Sequence, residues 1–264
     1  MRALLPSSAR YTSDSGALPQ VRCIPEESIV PGVNYAVLDN YFRRRGVPFA
    51  DGSRAGWYLQ QFCKLLFWTQ VPDLSPHFLI WDSDMIMTPR YRLFNQHGQL
   101  RQHSGGSFTY SYSTAFYKLT GLKMKFGAYW ESYVVHHQPM YMPYLFEMLR
   151  AMGLDESRDP VAWVLDVLDH IPDDELEKGL SEYNMYVTWV LARHNRSMAI
   201  VPRQRWARYA PSSAMPKRDS GSCCPRPELI AQASTGKAWE FFGYELGHLP
   251  RCRYNAPEYA EHYP

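Results

Sequence analysis

A pair of carboxylates stands at the end of a short apolar run in this sequence. The run covers residues 78–81, the carboxylates are Asp82 and Asp84, and a second apolar run, 85–87, stops at Pro89. A continuous apolar run of this length between chain-breaking residues is typical of a buried strand in an α/β sheet. Residues i and i+2 of an extended chain point the same way, so we expect the two carboxylates to converge beside the strand end.

Two converging carboxylates repel each other unless a proton or a cation offsets their charge. Their hard oxygen atoms suit Mg²⁺ or Mn²⁺, and a nucleoside diphosphate commonly completes the coordination. Ligands of open α/β sheets bind beyond the carboxyl ends of the strands, where this pair is predicted to lie. We therefore interpret Asp82 and Asp84 as a metal–diphosphate site. The alternative is an ordinary solvated turn, which Asp-containing triplets also form.

Composition narrows the class of protein and of partner. The chain has 264 residues, of which 45% are hydrophobic and 20% charged, and this suits a globular protein with a substantial core. A net charge of +2 gives no field that would indicate nucleic acid as a partner. No apolar run approaches about 18 residues, so no transmembrane helix is predicted. Residues 1–20 lack the apolar core of a secretory signal, and a cytoplasmic location is the default expectation.

The chain is predicted to form one α/β domain with irregular ends. Residues 1–20 are polar and Ser-rich and are expected to be a disordered or loosely attached arm. Between 21 and 210, helical periodicity alternates with short apolar strands, and 21–32 should contain an extended segment. Residues 211–264 begin with a Pro-, Ser- and Gly-rich loop and are predicted to be an irregular tail packing on the domain. The other expected elements are a hairpin over 91–102 and helices over 34–46, 57–69, 110–119, 142–152, 161–170 and 181–194.

The helix that precedes the acidic strand carries polar groups near its start. Gln60, Gln61 and Lys64 fall within about one turn of each other, after Trp57. A helix N-terminus offers unpaired N–H groups to an anion, so these side chains can contribute to a phosphate site. The alternative is that they are the solvated face of an ordinary helix.

Two later segments add titratable groups. His136 and His137 lie next to the apolar run 133–135, and Glu131 stands shortly before it. Adjacent residues of a strand face opposite sides, so at most one of these histidines is expected to reach a given site, as a metal ligand or a phosphate contact. Ser181 is a good N-cap, and Glu182 after it is either a general base or a carboxylate that simply favours the helix start.

Taken together, the motifs resemble one family, the bacterial and algal-viral proteins grouped as DUF6492. The resemblance covers about residues 20–200. That group is related to glycosyltransferases of the GT-A fold, whose hallmark is a DXD motif after an apolar strand. The motifs that carry the resemblance are, in order, Trp57-x-x-Gln60-Gln61-x-x-Lys64, Asp82-Ser83-Asp84, His136-His137 and Ser181-Glu182-Tyr183.

The resemblance implies a GT-A-like mixed sheet flanked by helices, and metal-dependent transfer of a sugar from a nucleotide sugar to a hydroxyl acceptor such as a glycan. Asp82 and Asp84 would hold Mn²⁺ or Mg²⁺ and the diphosphate. Glu182 would be the catalytic base, with Glu131 next in line. The residues that would contact the substrates are Trp57, Gln60, Gln61, Lys64, His136 and His137.

Two other functions remain open at this point. GT-A domains normally begin with an apolar strand that receives the nucleobase, and residues 1–20 contain none, so this strand is expected to be missing or rebuilt. A catalytically inactive nucleotide- or glycan-binding protein with the same fold is therefore one alternative. The other is a phosphohydrolase of the haloacid-dehalogenase type, although that pattern expects Thr or Val where this chain has Ile86.

Overall fold

The protein is a mixed α/β domain in which helices form most of the core. The computed structural model describes residues 23–47, 49, 53–71, 74–105, 109–123, 137–155, 157–201, 205–207, 231 and 239–243. The predicted N-terminal arm and most of the predicted tail lie outside these residues. The helices are α1 Glu26–Ile29, α2 Tyr35–Arg45, α3 Ala55–Leu66, α4 Ser111–Thr120, α5 Met142–Ala151, α6 Pro160–Asp169 and α7 Glu182–Arg193. The strands are β1 His77–Trp81, β2 Met85–Met87, β3 Leu100–His103, β4 His137–Tyr141, β5 Met198–Val201, β6 Trp206–Ala207 and β7 Phe241–Gly243.

The capping residues account for where the helices begin and end. Asn34 accepts a hydrogen bond from the Val37 amide, and Gly46 closes α2 in the left-handed conformation with φ of 67°. Ser181 caps α7 by accepting from the amide of Asn184. The predicted helices over 34–46 and 181–194 are therefore confirmed, and each begins at the polar residue that the sequence indicates.

One local prediction is wrong. The extended segment expected over 21–32 contains the short helix α1. Pro25 precedes this helix, and Glu26 and Glu27 fill its first turn, where acidic side chains interact favourably with the helix dipole. These local preferences explain the turn of helix between the two prolines.

The described strands form three small sheets. β1 pairs antiparallel with β4, β3 pairs parallel with β5, and β7 lies between β2 and β6. The α/β class is thus confirmed. The one mixed sheet that the resemblance implies is not formed by the strands that the structure describes.

Side chains of β1 alternate between two apolar clusters. Phe78 and Ile80 face the main core, which α2, α3, α5, α6 and α7 build. Leu79 and Trp81 pack instead on a smaller cluster around Phe241 of β7. The alternation follows from the period of two in an extended chain. It decides which polar groups the end of β1 can reach.

The chain after residue 211 also contributes to the fold. Phe241–Gly243 is a strand with all three residues buried, paired with both β2 and β6. The sequence predicts an irregular tail here, because a run of three residues is too short to show a strand period. Its neighbours come from segments that are 35 to more than 150 residues earlier in the chain, and that long-range pairing forms the strand.

Gly179 tests the packing that positions the start of α7. A Cβ at this position would lie 2.2 Å from Cγ2 of Ile171 and 3.0 Å from the carbonyl oxygen of Glu175. We therefore expect Gly179→Ala to lower the free energy of unfolding by about 1–3 kcal/mol in urea denaturation. Gly56→Ala is the control, because its Cβ would meet atoms no nearer than 3.8 Å within α3. That variant should be unchanged or up to about 1 kcal/mol more stable. Equal stability of the two variants would contradict this packing.

Candidate functional site

The carboxylate pair lies in a tight turn that follows β1. The carbonyl oxygen of Asp82 accepts a hydrogen bond from the Met85 amide at 3.1 Å, which closes the turn over 82–85. Asp82 is partly buried and Asp84 is exposed. We predicted convergence on the assumption that Asp82 and Asp84 both lie in extended backbone. That assumption is wrong, because the strand ends at Trp81. Both carboxylates still stand at the carboxyl end of the strand.

The ammonium group of Lys64 joins two carboxylates from distant parts of the chain. Its Nζ lies 2.6 Å from Oδ1 of Asp82 and 3.0 Å from Oε1 of Glu182. The side chains of Lys64 and Asp82 are 12% and 17% exposed, and that of Glu182 is 1% exposed. Lys64 comes from α3, Asp82 follows β1, and Glu182 begins α7. Three of the segments that the sequence singles out thus meet at one point.

Tyr183 completes this cluster and was missed as a site residue. Its hydroxyl donates to Oδ1 of Asp82 at 3.0 Å and accepts from Nζ of Lys64 at 2.9 Å. The ammonium group also lies 4.6 Å from the centre of the Tyr183 ring, a cation–π contact. Tyr183 belongs to the Ser-Glu-Tyr motif, but the sequence alone assigns a reactive role only to the carboxylate of that motif.

Burial shapes the charges of the cluster. Burial raises the pKa of Glu182, and the Lys64 ammonium opposes that rise. Burial disfavours the charged form of Lys64, but Glu182 and Asp82 outweigh it and raise the pKa of that amine. Burial, together with Glu182 and Asp82, also raises the pKa of Tyr183 well above its ordinary value. These shifts favour a cationic Lys64 and a neutral Tyr183, and of these three groups Glu182 is the one whose pKa moves from an acidic value towards neutral pH.

Glu182 has an unusual hydrogen-bonding state for a fully buried carboxylate. No other described residue donates a hydrogen bond to its Oε2 atom. A buried acceptor without a partner is costly, and native proteins seldom retain one without a reason. A ligand hydroxyl is a suitable donor for this oxygen.

The remaining residues of the helix motif have separate positions. Oε1 of Gln61 accepts from the Glu182 amide at 3.4 Å, so this side chain supports the first turn of α7. Gln60 is exposed. Trp57 is half-buried and stacks on Tyr112, with ring centres 6.4 Å apart. The structure thus brings Gln61 and Lys64 to the cluster, while Gln60 and Trp57 lie elsewhere on the same helix.

His137 lies on the other face of the β1–β4 pair. It is fully buried and is the backbone partner of Trp81, whose side chain faces the smaller apolar cluster. Its Nε2 atom is 3.1 Å from Nδ1 of His103. Asp82 reaches Lys64 on the opposite side, so the structure does not bring His137 to the Lys64 cluster. His136 and Glu131 lie outside the described residues.

A second polar centre was not found from the sequence. The buried carboxylate of Glu240 accepts hydrogen bonds from Arg101 at 2.6 Å, from Arg205 at 2.9 and 3.0 Å, and lies 3.0 Å from Nε2 of His103. Burial alone would favour its neutral form, but His103 and the arginines lower the pKa of Glu240 to about 2. The only sequence signal is one carboxylate inside an aromatic run, which indicates burial but not its partners.

The donor chemistry at the turn fits a hard divalent cation. Asp82 and Asp84 offer carboxylate oxygens within one turn, and Mg²⁺ is often held by one or two carboxylates, water and substrate phosphates. Among the described residues, no three His, Cys, Asp or Glu side chains are grouped to hold a metal ion. In the part of the chain that the structure describes, the two aspartates are therefore the carboxylates that offer oxygen ligands to a cation at this turn.

Comparisons with protein-family models, with curated proteins and with solved structures found no match to this chain. No helix in the described part of the chain has both the length and the apolar character needed to cross a bilayer. The resemblance inferred from the motifs remains a prediction.

Removing the shared ammonium should expose the repulsion in the cluster. Lys64→Met leaves Glu182 and Asp82 without a common cation, and we expect a loss of about 3 kcal/mol in unfolding free energy at pH 8. Without Lys64, folded Glu182 should bind its proton more tightly than unfolded Glu182. The stability of this variant should therefore fall as the pH rises above about 4.3, when measured by urea denaturation from pH 4 to 8.

Two further variants control this experiment. Lys64→Met with Glu182→Gln should recover part of the lost stability and much of the pH dependence, because the buried charge is gone. Lys118→Met, at an exposed lysine of α4, should change stability by no more than about 0.5 kcal/mol. A Lys64→Met protein as stable as the parent at pH 8 would contradict the ion-pair arrangement.

Proposed function

We propose that this protein is a metal-dependent glycosyltransferase of GT-A-like fold, which transfers a sugar from a nucleotide sugar to a hydroxyl acceptor such as a glycan. The observation that carries the proposal is the meeting of Lys64, Asp82 and Glu182. The resemblance implies roles for these three residues in nucleotide binding, metal binding and proton transfer. If residues 64, 82 and 182 were ordinary solvated positions, we would not expect their side chains to meet in one buried cluster.

Glu182 has the properties of a general base. Its carboxylate is excluded from solvent, its pKa is raised by burial, and its Oε2 atom accepts no hydrogen bond from another described residue. A base works best when its pKa lies near the working pH, and a buried carboxylate moves in that direction. Lys64 limits the shift, because its ammonium group stabilises the ionised carboxylate. Glu182 can therefore be ionised before the reaction and hold a proton after it.

In the proposed transfer step, one bond to the anomeric carbon forms as another breaks, and the acceptor hydroxyl loses its proton. The acceptor oxygen bonds to the anomeric carbon of the donor sugar, and the bond from that carbon to the diphosphate oxygen breaks with its electron pair on the diphosphate. The hydroxyl proton passes to the carboxylate of Glu182. Tyr183 and Lys64 keep Asp82 in place beside this carboxylate through their contacts at 3.0 and 2.6 Å.

Asp82 and Asp84 are the residues that would hold the cation. When bound, Mn²⁺ or Mg²⁺ supplies Lewis-acid stabilisation of the charge on the departing diphosphate. Asp84 is exposed and within the same turn, so a diphosphate can approach it from solvent.

Nucleotide binding should require the cation and Asp84. We expect UDP or GDP to bind in isothermal titration calorimetry with Mn²⁺ and not with EDTA, because carboxylates without a cation repel phosphate. Asp84→Asn should weaken binding at least about tenfold, which corresponds to about 1.4 kcal/mol. Asp174→Asn, an exposed aspartate on another part of the surface, is the matched control and should bind as the parent does. Binding without metal, or binding unaffected by Asp84→Asn, would refute the metal–diphosphate site.

Glu182→Gln should separate catalysis from donor binding. The amide cannot accept the hydroxyl proton, so we expect release of UDP or GDP from nucleotide sugars to fall by at least about 100-fold. Calorimetric binding of UDP or GDP with Mn²⁺ should be retained. Glu177→Gln, at an exposed carboxylate five residues earlier, controls for the change of residue type. Full turnover in Glu182→Gln would exclude it as the base.

The same assays separate the two alternatives. Nucleotide binding without sugar release by the parent protein would favour an inactive binding protein. Hydrolysis of a generic phosphomonoester that is lost in Asp82→Asn would favour a phosphohydrolase.

A further inference from the structure

The second polar centre, around Glu240, contains a hydrogen-bonded row of three titratable side chains. The proposed transfer reaction does not use them. Oε2 of Glu240 lies 3.0 Å from Nε2 of His103, and Nδ1 of His103 lies 3.1 Å from Nε2 of His137. All three residues are completely buried. They come from the segment before β7, from the end of β3 and from the start of β4. This row of side chains therefore passes beside the smaller apolar cluster, from one sheet to another.

The direction of the hydrogen bonds in this row follows from the charge of Glu240. Arg101 and Arg205 donate to its Oε1 atom, and these contacts keep the carboxylate ionised. An ionised carboxylate can only accept, so Nε2 of His103 must carry a proton. Burial is the largest effect on His103; together with the two arginines it outweighs the ionised Glu240 and lowers the pKa of this imidazole, which disfavours a second proton on the ring. Its Nδ1 atom is then a hydrogen-bond acceptor.

The proton position on His103 in turn determines that on His137. Nδ1 of neutral His103 carries a lone pair, so it repels Nε2 of His137 unless that nitrogen carries a proton. His137 must therefore donate through Nε2, and in the neutral form of its ring the lone pair is then on Nδ1.

We propose that Glu240 is a positioning residue that acts through His103 to set the tautomer of His137, so that Nδ1 of His137 is a proton acceptor. This control of the tautomer depends on the hydrogen bonds that Arg101 and Arg205 donate to Oε1 of Glu240. It does not depend on the proposed transferase activity.

This assignment decides what chemistry His137 can perform. An acceptor nitrogen receives an O–H or N–H donor, or a proton, and it repels the oxygens of a phosphate group. If a proton is added at Nδ1, the ionised Glu240 stabilises the resulting imidazolium through His103. His137 is therefore a second proton-accepting centre, on the face of the β1–β4 pair opposite to Glu182.

The direct test is ¹⁵N NMR of the histidine side chains in the full chain at pH 7.5. A ring nitrogen with a proton and one with a lone pair differ widely in chemical shift, so the tautomer is read without any substitution. We expect His103 and His137 both to be neutral with the proton on Nε2. His137→Asn identifies the signals of His137 by their loss. A proton on Nδ1 of His137, or a charged ring at either position, would overturn the proposal.

Glu240→Gln gives a sharper result, because it should reverse the hydrogen bonds of this row. Arg101 and Arg205 require an acceptor, so the amide oxygen of Gln should occupy the Oε1 position and its NH₂ group should face His103. Nε2 of His103 must then accept, and the proton moves to Nδ1 of His103 and on to Nδ1 of His137. A merely structural role would lower stability without changing the tautomer.

Glu147→Gln is the matched control. The Glu147 carboxylate lies 2.5 Å from Nε2 of His194 on the surface, so this substitution should alter only the signals of His194. Unchanged tautomers of His103 and His137 in a folded Glu240→Gln protein would overturn the proposal. If that variant does not fold, the measurement on the parent protein decides alone.

Discussion

The arrangement of this protein depends on one buried ammonium group. Lys64 lies between Asp82 and Glu182, at 2.6 and 3.0 Å, and all three side chains have little contact with solvent. Either carboxylate alone would be costly to bury, and both together would repel. The shared cation therefore links α3, the end of β1 and the start of α7 electrostatically. The ammonium group also favours the ionised form of Glu182, the form in which this carboxylate can accept a proton.

The strand pair β1–β4 separates two polar centres. On the side of the main core, which Ile80 faces, Asp82 contacts Lys64. On the other side, Trp81 and His137 face the smaller apolar cluster, and His103, which contacts Glu240, packs against Phe241 of that cluster. Each centre places a proton acceptor in a buried environment, but the two differ in how the charge is balanced. In the Lys64 cluster one cation pairs with two carboxylates, whereas at Glu240 two arginines pair with one carboxylate.

The sequence predicts local structure here better than it predicts contacts. Asn34, Gly46 and Ser181 mark helix ends because capping is a property of a few adjacent residues. The apolar run before Asp82 also forms the expected strand. The Glu240 network could not be predicted, because its four segments span 139 residues and no local pattern relates Arg101 to Glu240. The convergence of Lys64 and Glu182 on Asp82 was expected only through the resemblance. The separation of His137 from them follows from strand alternation once the register with Trp81 is known.

We propose that the Asp82 turn and Glu182 belong to one substrate site joined by Lys64. A crystal structure of the protein with UDP and Mn²⁺ is the decisive experiment. We expect Mn²⁺ to contact Asp82 and Asp84, the diphosphate to contact the metal, and Lys64 and Glu182 to line the same cleft. A nucleotide bound elsewhere, or a Glu182 carboxylate far from Lys64 and Asp82, would contradict it.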